Sequence, residues 1–308
     1  MPALLTSLDD LPPELLGGAL AVGNFDGVHR GHGGLIQQLV RAAEQVGGPA
    51  LVMTFHPPPT ALLYPERPLS APLTTLARRA ELLLGLGVTT LLAYPTDHDL
   101  LALSPHDFFQ QKVVGLLRAK AMVEGPNFRF GRDRAGDVSQ LAAFCSAANI
   151  QFAVAQATQD EAGLISSTRI RRLLAAGEIG PANALLTRPY ALQGEVVRGA
   201  GRGRQLGFPT ANLDHIESLI PGYGVYAGKT RLEGRSLAAA INIGPNPTFG
   251  EQQTKVEIHL IDYAGPPLYG QRLEVSLHDK IRDIQKFPSV DELRAQIAKD
   301  IAACSLRI

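Results

Sequence analysis

The sequence predicts two folded halves: an α/β domain built on a parallel sheet, then an antiparallel sheet or small barrel closed by one helix. In residues 19–187 short apolar runs alternate with longer helical patterns, which is typical of parallel strands covered by helices. After Pro189 the pattern changes to short strands separated by proline and glycine. A chain of 308 residues is long enough for two cores, and we predict domains at 1–187 and 188–308.

The first half alternates five candidate strands with four candidate helices. The strands are predicted at 19–25, 50–56, 89–94, 119–124 and 152–155, and the helices at 34–46, 75–86, 104–117 and 138–148. Ser104 marks one helix start as a capping residue, with Pro105 at the first helical position. Ligands of parallel sheets bind beyond the carboxyl ends of the strands, so we expect a site just after the first strand.

The second half contains five candidate strands and one candidate helix. The strands are predicted at 190–197, 224–229, 237–242, 255–261 and 273–277, and the helix at 290–301. Ser289 followed by Glu292 is a capping-box signature for the start of that helix.

Composition excludes several classes of protein. The formal net charge is zero, so no electrostatic footprint for nucleic acid or an acidic membrane is expected. Two cysteines, Cys145 and Cys304, cannot form a disulfide framework and lack metal-site spacing. Neither a secretory signal nor an apolar run of about 18 residues is visible, so a cytoplasmic location is expected. The oligomeric state, including a homo-oligomer, is left open.

The first predicted strand runs into a glycine-rich turn at residues 23–32, with the sequence Gly-Asn-Phe-Asp-Gly-Val-His-Arg-Gly-His. Glycines let a backbone approach phosphates closely, and a helix N-terminus offers unpaired N–H groups. His29 and His32 are three residues apart, so at a helix start they point to the same side. The turn predicts a nucleoside triphosphate site; the alternative is a plain turn with two exposed histidines.

Two further segments of the first half carry polar residues at predicted element ends. Ser166, Ser167 and Thr168 stand at a predicted helix start with Arg171 one turn on, an arrangement that holds phosphate oxygens or simply caps the helix. The loop at 124–131 contains Asn127, two phenylalanines and an arginine. Such a loop can hold a base or ring, and the alternative is a solvated loop packed by its phenylalanines.

The second half has its own polar constellation. A basic glycine loop at 198–204 precedes the sequence Gly-Phe-Pro-Thr-Ala-Asn at 207–212, whose hydroxyl and amide oxygens suit Mg²⁺. Glu257 and His259 share one face of a predicted strand, where a carboxylate is a reasonable general base. The alternatives are a flexible surface hairpin and a solvent-facing glutamate.

Together, the first-half motifs resemble those of the nucleotidyltransferase superfamily: His-x-Gly-His after the first strand and Ser-Ser-Thr-x-x-Arg near the end. The full string at 23–32 narrows the resemblance to the adenylyltransferase module of prokaryotic FAD synthetases. The resemblance implies a Rossmann-like fold in which the phosphate of FMN attacks the α-phosphorus of ATP. His29, His32 and Arg171 would stabilise the developing charge. The expected ATP- and phosphate-binding residues are Gly23, Asn24, Phe25, Asp26, Gly31, Asn127, Ser166, Ser167, Thr168 and Arg171.

The second-half motifs resemble the riboflavin kinase family in order and spacing. The resemblance implies a small Greek-key barrel in which Thr210 and Asn212 bind Mg²⁺ and ATP phosphates. Glu257 would take the proton from the 5′-hydroxyl of riboflavin. The expected ATP- and flavin-binding residues are Gly203, Arg204, Gly207, Phe208, Pro209, Asn242, Gly244 and Arg282.

The two resemblances occur in the order found in prokaryotic bifunctional riboflavin kinase/FAD synthetases. They imply that the second half makes FMN from riboflavin and ATP, and that the first converts FMN and ATP to FAD and pyrophosphate, both with Mg²⁺. One alternative is a chain with a single active half. A second is a flavin-binding carrier without turnover, although a pure binder has no need of a positioned base.

Overall fold

The structure, a computed structural model, describes residues 4–7 and 11–308. These residues form two compact units, the first ending at Ser166 and the second running from Ser167 to Ile308 and including Ala71–Leu73. Residues 167–185 group with the second unit because they pack on its strands: the Asn183 side chain donates to the carbonyl of Leu277 at 2.9 Å. The division between units therefore falls earlier than the predicted domain boundary at 187/188.

The first unit is built on a six-stranded parallel sheet, as the alternating pattern predicts. Its strands are β1 (Leu4–Leu5), β2 (Ala19–Val22), β3 (Ala50–His56), β4 (Thr90–Pro95), β5 (Ala121–Glu124) and β6 (Gln151–Val154). They lie in the order β1-β4-β3-β2-β5-β6. Strand β2 is buried on both faces, which explains its uninterrupted apolar sequence. It ends at Val22, three residues before the predicted end, because the glycine-rich turn starts there.

Helices cover both faces of this sheet. They are α1 (Arg30–Val46), α2 (Pro59–Leu63), α3 (Leu76–Leu84), α4 (His98–Ala102), α5 (Pro105–Phe108) and α6 (Val138–Ala147), with a π-helical stretch at Phe109–Leu116 and 3-10 turns at Pro13–Leu15 and Arg132–Arg134. A short hairpin of β7 (Gln159–Asp160) and β8 (Gly163–Leu164) follows β6. Alternate residues of β3 enter different cores: Met53 packs on one face and Val52 on the other.

The second unit is a closed six-stranded antiparallel barrel with four helices. Two helices precede it, α7 (Ser167–Ala175) and α8 (Ile179–Leu185). The barrel contains β9 (Ala191–Val197), β10 (Ala211–Asp214), β11 (Gly224–Leu232), β12 (Arg235–Gly244), β13 (Lys255–Leu260) and β14 (Arg272–Arg282), with a helical turn α9 (Arg202–Gln205), a 3-10 turn at Pro247–Phe249 and the final helix α10 (Val290–Leu306). Around the barrel the order is β10-β13-β12-β11-β14-β9. The prediction of a small barrel with a terminal helix is confirmed.

Strand β10 and the glycine loop of this unit depart from the predicted pattern. Strand β10 was not predicted, because it is four residues long and half polar. The glycine loop at 198–204, expected to be flexible, contains the single turn α9. Along the part of the chain that the structure describes, no helix combines the length and apolar character needed to cross a bilayer.

Candidate active sites

The sheet of the first unit has a topological switch point beside β2. The chain leaves β2 to form β3 on one side and later returns to form β5 on the other, so the carboxyl ends of β2 and β5 border a crevice. Ligands of open α/β sheets bind at such a point. The turn at 23–32 follows β2 and the loop at 125–131 follows β5. Both predicted segments therefore border the expected ligand crevice of this sheet.

The glycine-rich turn has a strained backbone. Phe25, Gly27 and Val28 have φ values of 47°, 82° and 40°. Glycine adopts this region freely, whereas a β-branched residue such as valine pays of order 1–3 kcal/mol for it. Such strain persists only where the surroundings hold it in place, and it is typical of ligand-binding turns.

His29 and His32 come together at the start of α1. His29 is the N-cap residue, and its Nδ1 accepts a hydrogen bond of 3.3 Å from the backbone N–H of His32. The two rings stack with centroids 3.6 Å apart. Because Nδ1 is an acceptor, the neutral ring of His29 carries its proton on Nε2, which is then a donor for a ligand oxygen. The spacing prediction that both rings point to the same side is confirmed.

Both imidazoles are neutral at physiological pH. Burial lowers the pKa of His29 to about 4, although the nearby Asp26 carboxylate acts in the opposite direction. Burial lowers the pKa of His32 well below its ordinary value, and electrostatic repulsion from Arg79 and from a protonated His29 acts in the same direction. The Nδ1 of His32 is buried and has no hydrogen-bond partner among the residues that the structure describes. An unpaired buried nitrogen is costly, which favours a ligand or water at this position.

The other predicted residues of the turn have different environments. Gly23 donates its N–H to the carbonyl of Met53, and Asn24 is exposed. Phe25 is buried with its ring centroid 5.0 Å from that of His32. A Cβ at Gly31 would lie 3.1 Å from the ring of His29, so only glycine leaves that ring in place.

Asp26 does not face open space. Its side chain is 8% exposed, and Oδ1 accepts hydrogen bonds from the N–H and hydroxyl of Thr74 and from Arg79. Thr74 and Arg79 were not predicted as site residues, since they belong to a distant segment that only the fold brings to the turn.

Asn127 lies in a separate open cavity of about 380 Å³ after β5. The lining residues are Pro126, Asn127, Phe128, Arg129, Arg134, Asp137, Val138 and Ser139. Phe128 and Phe130 stack with centroids 5.5 Å apart, which anchors the loop to the core below it. Asn127 itself is exposed. The loop therefore combines packing by its phenylalanines with a polar rim of arginines.

The predicted hydroxyl cluster is at a helix start. Ser166 is the last residue of the first unit, and Ser167, Thr168 and Arg171 lie in the first turns of α7, which groups with the second unit. Thr168 is exposed, whereas the other three are partly buried. The role of these residues in holding phosphate stays a prediction.

In the second unit, one row of side chains crosses five strands of the barrel. Asn212 of β10 pairs with Glu257 of β13, which pairs with Asn242 of β12. Asn242 pairs in turn with Val225 of β11, and Val225 with Arg282 of β14. Directly paired residues point to the same face of a sheet. All five line one cavity of about 240 Å³, while the neighbouring Ile258 and Ile241 face the buried interior.

Amides and charged groups surround Glu257. Its Oε2 lies 3.2 Å from the amide nitrogen of Asn246 and 3.5 Å from that of Asn242. A second carboxylate of the cavity, Glu251, pairs with Arg202 and Lys255, each at 2.7 Å. Lys255 also holds the pKa of Glu251 below its ordinary value. Sequence reasoning missed Asn246, Glu251 and Lys255; the nearest signal was the conspicuous Asn-Pro-Thr-Phe string at 246–249.

The glycine loop lies directly over the predicted metal-binding residues. A Cβ at Gly199 would be 2.3 Å from the amide nitrogen of Asn212, and one at Gly203 would be 3.0 Å from Oγ1 of Thr210. His259 donates to the carbonyl of Pro209 at 2.8 Å and meets the Phe208 ring edge-on. These contacts hold the glycine loop, the turn at 207–212 and strand β13 against one another beside the cavity.

The cavity includes most of the residues predicted for this site. Those that line it are Gly203, Arg204, Phe208, Pro209, Thr210, Asn212, Asn242, Glu257 and Arg282. Gly207 and Gly244 are outside the lining and have φ values of 88° and 139°, so they act as turn residues. Arg282 makes a forked ion pair of 2.8–3.1 Å with the buried Asp300 of α10, which fixes the guanidinium.

Among the described residues no cluster of three or more His, Cys, Asp or Glu side chains could hold a metal ion. Thr210 and Asn212, side by side in the cavity of the barrel, are neutral oxygen donors.

A parallel sheet with a glycine-rich turn at its switch point in one unit, and a barrel with a carboxylate-lined cavity in the other, are typical of a two-domain nucleotide-dependent transferase. Residues 12–169 match the family model for FAD synthetase, and residues 186–307 match the model for riboflavin kinase. The chain belongs to the family of bifunctional riboflavin kinase/FMN adenylyltransferases.

Relatives match over nearly the whole length. A bifunctional riboflavin kinase/FMN adenylyltransferase from Pseudomonas fluorescens is 36% identical, covering 97% of this chain and 96% of the relative. One from Escherichia coli strain K12 is 38% identical, covering 96% and 93%. A crystal structure described as a macrolide-efflux protein from Streptococcus pneumoniae is similar with a TM-score of 0.86, 29% identity and 98% coverage of both chains. That description applies to the Streptococcus protein, and the likeness shows the fold.

Proposed function

We propose that this chain phosphorylates riboflavin with ATP to FMN at the barrel cavity and transfers the adenylyl group of ATP to FMN at the parallel sheet. The observation that carries the proposal is the row Asn212–Glu257–Asn242, in which a carboxylate stands between two amides inside a cavity. A primary hydroxyl is a poor nucleophile and needs such a base. The second reaction has its own site around His29 and His32.

In the kinase reaction Glu257 takes the proton of the riboflavin 5′-hydroxyl as the oxygen attacks the γ-phosphorus of ATP, and ADP leaves. The amides of Asn246 and Asn242 are 3.2 and 3.5 Å from its Oε2, so they orient the carboxylate toward the cavity. The glycine loop above Thr210 and Asn212 supplies the backbone approach that phosphates require. Arg282, held by Asp300, is a fixed cation at the other end of the row.

In the adenylyl-transfer reaction the FMN phosphate is already anionic, so no base is required. Its oxygen bonds to the α-phosphorus of ATP, and the bond to pyrophosphate breaks. The protein supplies alignment and donors for the developing charge. The Nε2–H of His29 and the ring of His32 are such donors. The phosphate-binding role expected of Ser167, Thr168 and Arg171 stays a prediction.

We infer that both reactions need Mg²⁺. Thr210 and Asn212 offer neutral oxygen donors, which suit a cation that keeps several waters and shares phosphate oxygens. When bound, Mg²⁺ neutralises charge on the ATP phosphates. Chelation by EDTA is therefore expected to stop both reactions, and added Mg²⁺ to restore them.

We assign the kinase to residues 188–308 and adenylyl transfer to 1–187, a division supported by the riboflavin kinase match, which begins at residue 186. Riboflavin, FMN and ATP are the organic substrates of the two reactions. We infer a cytoplasmic location without nucleic-acid or membrane partners, in keeping with two buried free cysteines and zero net charge. Light scattering distinguishes a monomer from a homo-oligomer.

The experiment that tests the proposal follows the flavins by chromatography while the purified protein acts on riboflavin, ATP and Mg²⁺. FMN is expected first, followed by FAD. A second reaction, supplied with FMN and ATP, measures adenylyl transfer alone. In that reaction FAD and pyrophosphate are expected in equal amounts. FMN accumulation without FAD would limit activity to the barrel, and tight flavin binding without product would favour a carrier.

A further inference from the structure

The turn that presents His29 has a strained backbone. Phe25 and Val28 both have positive φ values, 47° and 40°. Within the turn, the N–H of Val28 donates to the carbonyl of Phe25 at 3.1 Å. Residues held in this region need an external constraint. Asp26, between the two strained residues, makes side-chain hydrogen bonds to a segment outside the turn.

The constraint comes from the segment that begins α3. Oδ1 of Asp26 accepts from the N–H of Thr74 at 3.1 Å, from its hydroxyl at 3.2 Å and from Nη2 of Arg79 at 3.1 Å. The carboxylate is 8% exposed and the guanidinium 11%. Breaking one partner of a buried ion pair leaves the other charge uncompensated, so this contact is costly to disturb.

Thr74 joins the turn to α3 through its hydroxyl, whose hydrogen-bonding positions are all occupied. It donates to Asp26 and accepts from the N–H of Gly27 at 3.1 Å and from Nε of Arg79 at 3.4 Å. A hydroxyl has one donor and two acceptor positions, and all three are occupied. Its neighbour Thr75 caps α3, which fixes the position of Thr74 along the helix axis.

The charge of Asp26 argues against direct contact with ATP. A carboxylate repels phosphate oxygens, and this one is already occupied by three donors. Arg79 compensates the carboxylate, and its charge also contributes to the low pKa of His32. One arginine thus acts on both the turn and the histidine that follows it.

We propose that Asp26, Thr74 and Arg79 are positioning residues for adenylyl transfer, holding the strained turn so that His29 and His32 face ATP. This assignment replaces the direct phosphate contact predicted for Asp26, and it rests on the proposed adenylyl-transfer function.

The decisive variant is Thr74→Val, which keeps the shape of the side chain and removes the hydroxyl. We expect a 10- to 100-fold loss in kcat for FAD formation from FMN and ATP, since small misplacements at a reacting centre have effects of this size. Thr74→Ser restores the hydroxyl and is expected to recover most of the rate. Riboflavin phosphorylation by the same samples measures the amount of intact protein.

Arg78→Met is the matched control, because Arg78 is the neighbouring arginine of α3 and pairs with Glu81 on the same helix at 2.9 Å. It is expected to leave FAD formation unchanged. A merely stabilising role for Thr74 would lower the thermal midpoint while kcat per folded molecule stayed at the wild-type value, and that result would overturn the proposal. Wild-type rates in Thr74→Val would overturn it as well.

A readout independent of activity uses Arg79. In Arg79→Met the imidazole of His32 is expected to titrate at a higher pH by NMR than in the wild type, whereas Arg79→Lys keeps the charge and is expected to keep the wild-type titration. If Thr74→Val does not fold, Arg79→Met is assayed in its place by the same criterion. A wild-type protein that forms no FAD refutes the proposed function, whereas an unmoved His32 titration in Arg79→Met refutes the network.

Discussion

The side chain of Glu124 accepts a hydrogen bond of 2.7 Å from the backbone N–H of Val22, joining the ends of the two strands that border the crevice at the switch point of the sheet. Strands β2 and β5 pair directly at two positions, Ala19 with Ala121 and Leu20 with Met122. Beyond them the carboxyl group of Glu124 satisfies an N–H that the ladder leaves unpaired. It is buried, and burial raises its pKa well above the ordinary value.

Glu124→Gln is expected to change how stability depends on pH. Above the ordinary glutamate pKa the unfolded chain has released this proton while the folded chain retains it, so stability falls as pH rises, by at most about 1.4 kcal/mol per pH unit. Glutamine keeps the acceptor oxygen and cannot ionise. Urea unfolding of both proteins at pH 5, 6 and 7 gives their free energies of unfolding, and the difference between them should shift in favour of the variant as pH rises. A difference that does not change with pH would contradict a buried neutral acid at Glu124.

His29 is expected to stay neutral down to acidic pH. Its pKa of about 4 predicts flat imidazole shifts between pH 5.5 and 8 and an inflection near pH 4, with His29→Asn identifying the signal. Since the unfolded chain takes up this proton near pH 6.5, stability is lost as pH falls from about 6.5 toward 4. An inflection between pH 6 and 7 would show a solvated ring instead.

Glu257→Gln is expected to lower kcat for riboflavin phosphorylation by about 10²- to 10⁴-fold, because the amide cannot take the hydroxyl proton. FAD formation from supplied FMN should be unchanged. Glu195→Gln is the control: Glu195 is an exposed carboxylate on β9 of the same barrel and is outside the cavity. Full kinase activity in Glu257→Gln would mean that another group is the base.

Gly31→Ala is expected to reduce FAD formation about tenfold or more, since the new Cβ would lie 3.1 Å from the His29 ring and displace it. Kinase activity should be retained. Gly34→Ala on the same helix is the matched control, because among the described residues its Cβ would meet only Thr158 Oγ1, at an ordinary 3.6 Å. Equal activities of the two variants would show that the ring position is not limiting.

Ser289→Ala is expected to destabilise the second unit by about 1 kcal/mol. Ser289 is the N-cap of α10 and accepts from the N–H of Glu292 at 3.2 Å. The comparison is Ser305→Ala, whose hydroxyl donates only within the helix to the carbonyl of Ile301. Thermal unfolding followed through kinase activity measures both, and equal midpoints would exclude a role for the cap.

Local features were predicted well because they depend on neighbouring residues. The stacking of His29 and His32 follows from a three-residue spacing at a helix start, and the capping roles of Ser104 and Ser289 follow from their flanking residues. The alternation along β13 likewise predicted that Glu257 and His259 face one side while Ile258 is buried. Helix and strand periodicities are properties of a short stretch of chain.

Contacts between distant segments were not predictable in the same way. Asp26 was expected among the phosphate-binding residues, and nothing in the sequence indicated that the fold brings Thr74, 48 residues away, against its carboxylate. Strand β10 is too short and polar to be recognised alone, and it becomes a strand because Asn212 pairs with Glu257.

The sequence by itself determined the two halves, the glycine-rich turn with its histidines and the strand that carries Glu257, because each is encoded by local spacing and composition. Only the tertiary structure decided which groups are partners: Glu124 with Val22, Asp26 with Arg79, and the row from Asn212 to Arg282. Such pairs form when burial and strand register bring remote residues together, and the free energy of that association depends on the whole packed core rather than on any single segment.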